Sequence, residues 1–191
     1  MNQKNLLEVD WSRIPAPKDD GGADHLKGLA IPPISLIATD DTSVRLSALK
    51  GRSVVFAYPR TGEPGKISLV DDWDMIPGAR GCTPQTCSFR DLFAELKAAG
   101  AQHVFGLSTQ SNTYQTEMAS RLHLPFPVLS DEKLELTRAL NLPTMEVAGL
   151  VLIKRLALII DDARITHVFY PVFPPDRNAG DVLEWLKDNQ A

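Results

Sequence analysis

The chain contains two cysteines, Cys82 and Cys87, separated by four residues. A close cysteine pair can cycle between dithiol and disulfide, and in a reducing compartment it indicates redox chemistry more readily than a structural crosslink. The plainer alternative is a pair of inert, buried thiols, because unpaired cysteine is among the most buried residue types. Two thiols without a neighbouring histidine pair also make a poor zinc site.

The position of Cys82 favours a reactive thiol. It directly precedes Thr83 and Pro84, which are typical of a helix start, with Thr83 as the cap and Pro84 as the first helical residue. A sulfur there lies beside unpaired N–H groups and the positive end of the helix dipole, which favour the thiolate. The thiolate is the form that attacks a peroxide oxygen. Arg80 and Arg90 are close enough in sequence to add positive charge.

Cys87 cannot bond to Cys82 while both lie in an intact helix. Five residues place it about 140° around the helix axis and ~7.5 Å along it. Bridged cysteines have Cα atoms no more than ~6.8 Å apart and converging side chains. We therefore predict that disulfide formation unwinds the first helical turn. The matching chemistry is attack by Cys82 on a hydroperoxide, a sulfenic acid intermediate, and condensation with Cys87.

The elements that would position these thiols alternate between strand and helix. The apolar run 53–58 predicts a central strand covered on both faces and ends at Pro59. Strands are also predicted over 35–38, 43–46, 103–107, 126–129, 156–160 and 165–169, and helices from 83 and over 112–122, 132–140 and 181–189. This order predicts an α/β fold with a central mixed sheet flanked by helices, compatible with a thioredoxin-like fold. Residues 1–30 are interpreted as an extended or loosely attached arm, and 31–191 as the domain.

Composition excludes several classes of partner. The chain is 43% hydrophobic and 23% charged with net charge −4, so no broad positive surface is expected for nucleic acid or anionic lipid. No apolar run approaches the ~20 residues of a membrane span, and no secretory leader pattern opens the chain, so we expect a cytoplasmic protein. The four histidines are dispersed, which argues against a metal cofactor.

The string GCTPQTCSFRD at 81–91, preceded by VVFAYP, resembles peroxiredoxins of the bacterioferritin-comigratory or Q subgroup. Segments 106–108, 124–131 and 155–161 extend the similarity over about residues 30–190. The resemblance implies a thiol peroxidase in which Cys82 is peroxidatic and Cys87 resolving, with Arg155 placing a guanidinium beside the thiolate. It also implies hydroperoxide substrates, thioredoxin or a similar dithiol as reductant, no cofactor, and a monomer or weak homodimer.

One departure from that family concerns the hydroxyl near the peroxidatic cysteine. The family places a threonine or serine four residues after a proline, as P-x-x-x-[T/S]-x-x-C. Here Glu63 follows Pro59 at that spacing, and an extra segment, 66–80, precedes Cys82. Thr61 is then the nearest candidate hydroxyl. The segment 66–80 is either a lid or partner-binding element, or a surface excursion whose Trp73 packs down.

Two other functions fit the same fold. A thiol–disulfide exchange protein is the first, although such proteins usually carry C-x-x-C rather than C-x4-C. The second is a non-enzymatic redox sensor, in which the extra segment has disabled the peroxidase site.

Overall fold

The computed structural model describes residues 9–190, and a mixed β-sheet lies at its centre. The strands are β1 (Leu36–Ala38), β2 (Ser43–Val44), β3 (Arg52–Ala57), β4 (His103–Ser108), β5 (Val128–Ser130), β6 (Thr144–Val147), β7 (Leu150–Ile153), β8 (Leu156–Asp161) and β9 (Arg164–Phe169). The helices are α1 (Cys82–Asp91), α2 (Phe93–Ala98), α3 (Asn112–Arg121), α4 (Glu135–Leu140) and α5 (Asn178–Asp188). Seven strands pair in the order β2-β1-β5-β4-β3-β8-β9. β4 is parallel to both β3 and β5, whereas β8 is antiparallel to β3.

Strand β3 shows why the sheet is covered on both faces. Val54 and Phe56 point into a core that α1, α2, α3 and α5 help to form, while Val55 and Ala57 point into a second core that includes α4. All four side chains are fully buried. Successive strand residues face opposite sides, so a continuous apolar run is what a doubly covered strand requires. The α/β fold with a mixed sheet flanked by helices is confirmed, and its arrangement is thioredoxin-like.

The described part of the N-terminal arm contains a 3-10 helix at Trp11–Arg13 and a run of turns over 21–28, and it packs on the rest of the chain at several residues. Leu26 is fully buried in the second core, and the Asp20 carboxylate accepts a hydrogen bond from the Tyr170 hydroxyl at 2.6 Å and pairs with Lys154. At these positions the described arm is bound to the rest of the chain, and the division into an arm over 1–30 and a domain over 31–191 stays a prediction. Residues 1–8 of the predicted arm lie outside the described residues.

The segment 66–80 packs on a hairpin that we did not expect from the sequence. Strands β6 and β7 form a separate two-stranded sheet joined by Ala148 and Gly149, both with positive φ. Trp73 begins a short 3-10 helix and is buried against Val147 and Leu152 of this hairpin. The expectation that Trp73 packs down is confirmed. Within residues 9–190, no helix combines the length and apolar character needed to cross a bilayer.

Candidate active site

Cys82 lies at the start of α1, as predicted, but a different residue caps the helix. Gly81 is the N-cap with φ 104°, a left-handed conformation that glycine adopts without strain, and its carbonyl accepts from the Gln85 N–H at 3.0 Å. Cys82 is thus the first helical residue. The prediction that Thr83 caps the helix and Pro84 opens it was wrong, because the glycine turn starts the helix two residues earlier. The N–H groups of Cys82 and Thr83 precede the first intrahelical bond, and Pro84 has none.

Arg155 brings a buried positive charge to the Cys82 sulfur. It lies in the short link between β7 and β8 and is 2% exposed. Its Nη2 lies 3.3 Å from the Sγ of Cys82 and also donates to the carbonyls of Gly78 at 3.2 Å and Arg80 at 3.1 Å. The segment 66–80 therefore supplies main-chain acceptors that hold the guanidinium against the thiol.

A neutral amide, itself bound to a second amide, accepts from the other side of the guanidinium. Arg155 Nη1 donates to Gln85 Oε1, and Gln85 Nε2 donates to Asn178 Oδ1 at 2.8 Å. All three residues are buried. Arg155 makes no ion pair with a carboxylate in the described part of the chain. A buried charge is costly unless it is paired, and the partners of Arg155 among the described residues are neutral oxygens and the Cys82 sulfur.

Cys87 lies in the second turn of the same helix and is a different kind of thiol. It is buried, and this burial raises the pKa of its thiol. Neither cysteine is bonded in this structure, and α1 is continuous through both. The Thr86 hydroxyl donates to the Cys82 carbonyl at 2.9 Å, which adds to the order of the first turn.

The two nearby arginines, Arg80 and Arg90, each lie beside a carboxylate of their own segment. Arg90 donates to the Asp91 carboxylate at 2.8 Å and to a main-chain carbonyl, and its charge acts on Cys87. The Arg80 guanidinium lies 3.7 Å from the Asp74 carboxylate. Arg80 contributes to the site through its carbonyl, which accepts from Arg155.

A cavity of about 320 Å³ opens beside Cys82. The segment after β3 lines most of it, with further walls from the start of α1 and from Tyr114 of α3. Thr61 lines this cavity and is buried, so the structure brings it together with Cys82. Its N–H and hydroxyl both donate to Gln110 Oε1, at 2.9 Å and 3.1 Å, and its carbonyl accepts from the Tyr114 hydroxyl.

Sequence reasoning missed Gln85, Asn178 and the carbonyls that bind Arg155. Gln85 lies one helical turn after Cys82 within the recognised string, so its place on α1 was a usable signal. No local pattern marks Asn178, since its 93-residue separation from Gln85 is closed only by packing α5 on α1. Among residues 9–190, no cluster of three or more His, Cys, Asp and Glu side chains is placed to hold a metal ion.

Comparison with known proteins agrees with this geometry. Residues 26–183 match the family model described as Redoxin. A peroxiredoxin Q of the plant Sedum lineare, named as chloroplastic, is 30% identical over 175 residues, covering 91% of this chain and 84% of that protein. The crystal structure of the peroxidoxin BcpB from Mycobacterium tuberculosis is similar with a TM-score of 0.70 and 26% identity, covering 87% of this chain and 100% of that one.

A thioredoxin-like sheet with a thiol at a helix start thus coincides with a family match over most of the chain. The chain belongs to the redoxin family and, within it, to the peroxiredoxin Q group. The chloroplastic peroxiredoxin Q of Oryza sativa subsp. japonica is 29% identical over 162 residues, which cover 84% of this chain. The match spans 66% of that rice protein's length.

Proposed function

We propose that this chain is a thiol peroxidase that reduces hydrogen peroxide and organic hydroperoxides. Cys82 is the attacking thiolate, Cys87 resolves the oxidised sulfur, and Arg155 stabilises the anion. The observation that carries this proposal is the buried Arg155 guanidinium 3.3 Å from the Cys82 sulfur, with its other bonds made to neutral carbonyl oxygens. Family membership in the peroxiredoxin Q group supports the same assignment.

The first step follows from the charges at the helix start. The Cys82 thiolate attacks one peroxide oxygen, the O–O bond breaks, and negative charge develops on the leaving oxygen. Arg155 and the free N–H groups of Cys82 and Thr83 are donors already oriented toward this region. Donors fixed before the reaction stabilise developing charge without reorganising, which is usually the largest catalytic contribution.

The second step needs a change in α1. The Cys87 thiol remains neutral while it is buried, because burial raises its pKa. Unwinding the first turn would let the Cys82 sulfenic acid reach the Cys87 sulfur and condense with it, releasing water and forming an intramolecular disulfide. A dithiol protein such as thioredoxin then reduces the disulfide by exchange.

Peroxide consumption by the parent protein, Cys82→Ser and Cys87→Ser tests the roles of the two thiols. Cys82→Ser is expected to abolish consumption with dithiothreitol as reductant. Cys87→Ser is expected to retain one rapid oxidation of Cys82 but to form no internal disulfide, as intact-mass spectrometry will show. Parental peroxide consumption by Cys82→Ser contradicts the proposal.

The reductant, assembly and compartment are proposals of the same kind. Thioredoxin is tested by following NADPH oxidation with thioredoxin and its reductase, with dithiothreitol as the reference reductant. A monomer or weak homodimer is tested by sedimentation velocity over a concentration series.

We propose a reducing compartment, the cytoplasm, because a close cysteine pair can be recycled there by a dithiol reductant. The chloroplastic names of the plant relatives describe those proteins, and localisation of a tagged chain in its own cells tests the assignment here.

A further inference from the structure

The site contains a second threonine whose hydroxyl is uncommitted. Thr83 follows Cys82 at the start of α1, lines the same cavity, and is 5% exposed. Within residues 9–190, its hydroxyl makes no hydrogen bond. The Thr83 hydroxyl oxygen is nevertheless accessible, because it is not one of the fully buried side-chain atoms that have no hydrogen-bond partner. Since Thr83 lines the cavity, this accessible oxygen faces the cavity.

The other hydroxyls near Cys82 differ from Thr83 in this respect. The Thr61 hydroxyl donates its hydrogen to Gln110, and the Thr86 hydroxyl donates its hydrogen to the Cys82 carbonyl. Ser68 lies on the segment 66–80 and is exposed. A buried hydroxyl that keeps both its donor and its acceptors available is best suited to a ligand that needs both.

We propose that the Thr83 hydroxyl, rather than that of Thr61, binds the peroxide and carries its proton during oxidation of Cys82. The inference rests on the proposed peroxidase function and adds a catalytic residue to it. A hydroperoxide with one oxygen against the Cys82 sulfur must direct the hydrogen of that oxygen to an acceptor. The residue adjoining Cys82 at the helix start offers this acceptor on the cavity side.

The step balances with the groups present. The thiolate electron pair forms the S–O bond, and the O–O bonding pair moves to the leaving oxygen. The proton of the attacked oxygen passes to the Thr83 oxygen as the proton of Thr83 passes to the leaving oxygen. The products are a sulfenate on Cys82 and water or an alcohol, so sulfur loses two electrons, the peroxide gains two, and Thr83 is unchanged.

The test compares Thr83→Val, Thr83→Ser, Thr61→Val and Thr116→Val. Valine has nearly the shape of threonine without the hydroxyl, and Thr116 is an exposed residue of α3 that controls for the exchange itself. Stopped-flow measurement should show the rate constant of Cys82 oxidation by hydrogen peroxide falling on the order of 10- to 100-fold in Thr83→Val. Thr83→Ser should recover most of the rate, and Thr61→Val should lose less than Thr83→Val.

A second reaction separates catalysis from a structural effect. Alkylation of Cys82 by iodoacetamide needs the thiolate but transfers no proton to a leaving oxygen, so Thr83→Val should leave its rate within about twofold. An equal fall in alkylation and peroxide oxidation overturns the proposal, as does a parental peroxide rate in Thr83→Val. Either failure leaves the peroxidase assignment standing, because that assignment is decided by Cys82→Ser.

Discussion

The Arg155 guanidinium lies 3.3 Å from the Cys82 sulfur, although the two residues are 73 positions apart in the chain. Arg155 is buried, and its other partners in the described chain are carbonyl oxygens of Gln85 and of the segment 66–80. Carbonyl groups orient a guanidinium without cancelling its charge. The site therefore places a positive charge, uncompensated by any carboxylate of the described chain, beside the Cys82 sulfur.

Replacing Arg155 tests this relationship directly. Arg155→Met removes the charge and is expected to slow oxidation of Cys82 by hydrogen peroxide by roughly 100-fold. Arg155→Lys keeps a charge but loses the planar fork that reaches several acceptors at once, so an intermediate rate is expected. Stopped-flow fluorescence measures both rates. Arg138→Met, at an exposed arginine of α4 that donates to the Lys133 carbonyl, is the control and should keep the parental rate.

Gln85 links Arg155 to α5, and its loss should destabilise the fold. Gln85→Leu leaves Arg155 Nη1 and the Asn178 amide without their partners in a buried site, at a cost of about 3 kcal/mol in the free energy of unfolding. Urea unfolding of the reduced protein measures this cost. Asn178→Leu and the double variant complete a cycle, in which the double variant should cost less than the sum of the two. Strict additivity would contradict the link.

The main elements of the fold could be predicted from local sequence. The run 53–58 of β-branched and aromatic residues identified the doubly covered strand β3, and Thr83 and Pro84 indicated a helix that begins near Cys82. Thr83 misled the choice of cap, because a threonine cap is common whereas the left-handed conformation of Gly81 depends on its neighbours. At the start of α1, the local preference for a cap favours Thr83, whereas tertiary contacts favour Gly81.

The remaining parts of the site depend on contacts between distant segments. The segment 66–80 has only a short helix-compatible stretch, around 69–73, and its course is set by Trp73 packing on the β6–β7 hairpin and by Arg155 binding its carbonyls. The resemblance identified Arg155, but not the Gln85–Asn178 pair behind it. Short loops and buried amides carry too little local signal to be placed before the fold is known.

Gly81 should tolerate no side chain, because Pro175 and Trp11 both pack directly on it. A Cβ there would lie 2.7 Å from Trp11 Cη2 and 2.6 Å from Pro175 Cγ. Gly81→Ala is expected to lower the free energy of unfolding by more than about 2 kcal/mol and to slow Cys82 oxidation. Gly100→Ala is the matched control, since Gly100 has φ 103° and, apart from its chain neighbours, no atom of residues 9–190 lies within 4 Å of the position that its Cβ would occupy. An equal loss in the free energy of unfolding in the two variants would show that Trp11 and Pro175 can move away from a side chain at Gly81 without cost, which contradicts the prediction.

Cys87 should make the reduced protein less stable at alkaline pH. Because burial raises the pKa of its thiol in the folded state, the unfolded chain loses this proton at lower pH than the folded chain does. The free energy of unfolding should therefore fall between about pH 8 and pH 10, where an ordinary thiol ionises. The difference between the parent and Cys87→Ser isolates this effect from other groups. The free energy of unfolding of the parent minus that of Cys87→Ser should fall as the pH rises. If this difference stays constant or increases with pH, the raised pKa of Cys87 is contradicted.

Hydrogen exchange should detect the unwinding that disulfide formation requires. In the reduced protein, the Gln85 N–H is bonded to the Gly81 carbonyl, and the Thr86 hydroxyl is bonded to the Cys82 carbonyl. The Cys82–Cys87 disulfide is incompatible with a continuous helix through both residues, so amides at the start of α1 should exchange faster after peroxide treatment. Cys87→Ser, which forms no internal disulfide, should keep its protection under the same treatment. Equal protection in the reduced and disulfide forms would contradict the unwinding, and faster exchange confined to the disulfide form would establish it.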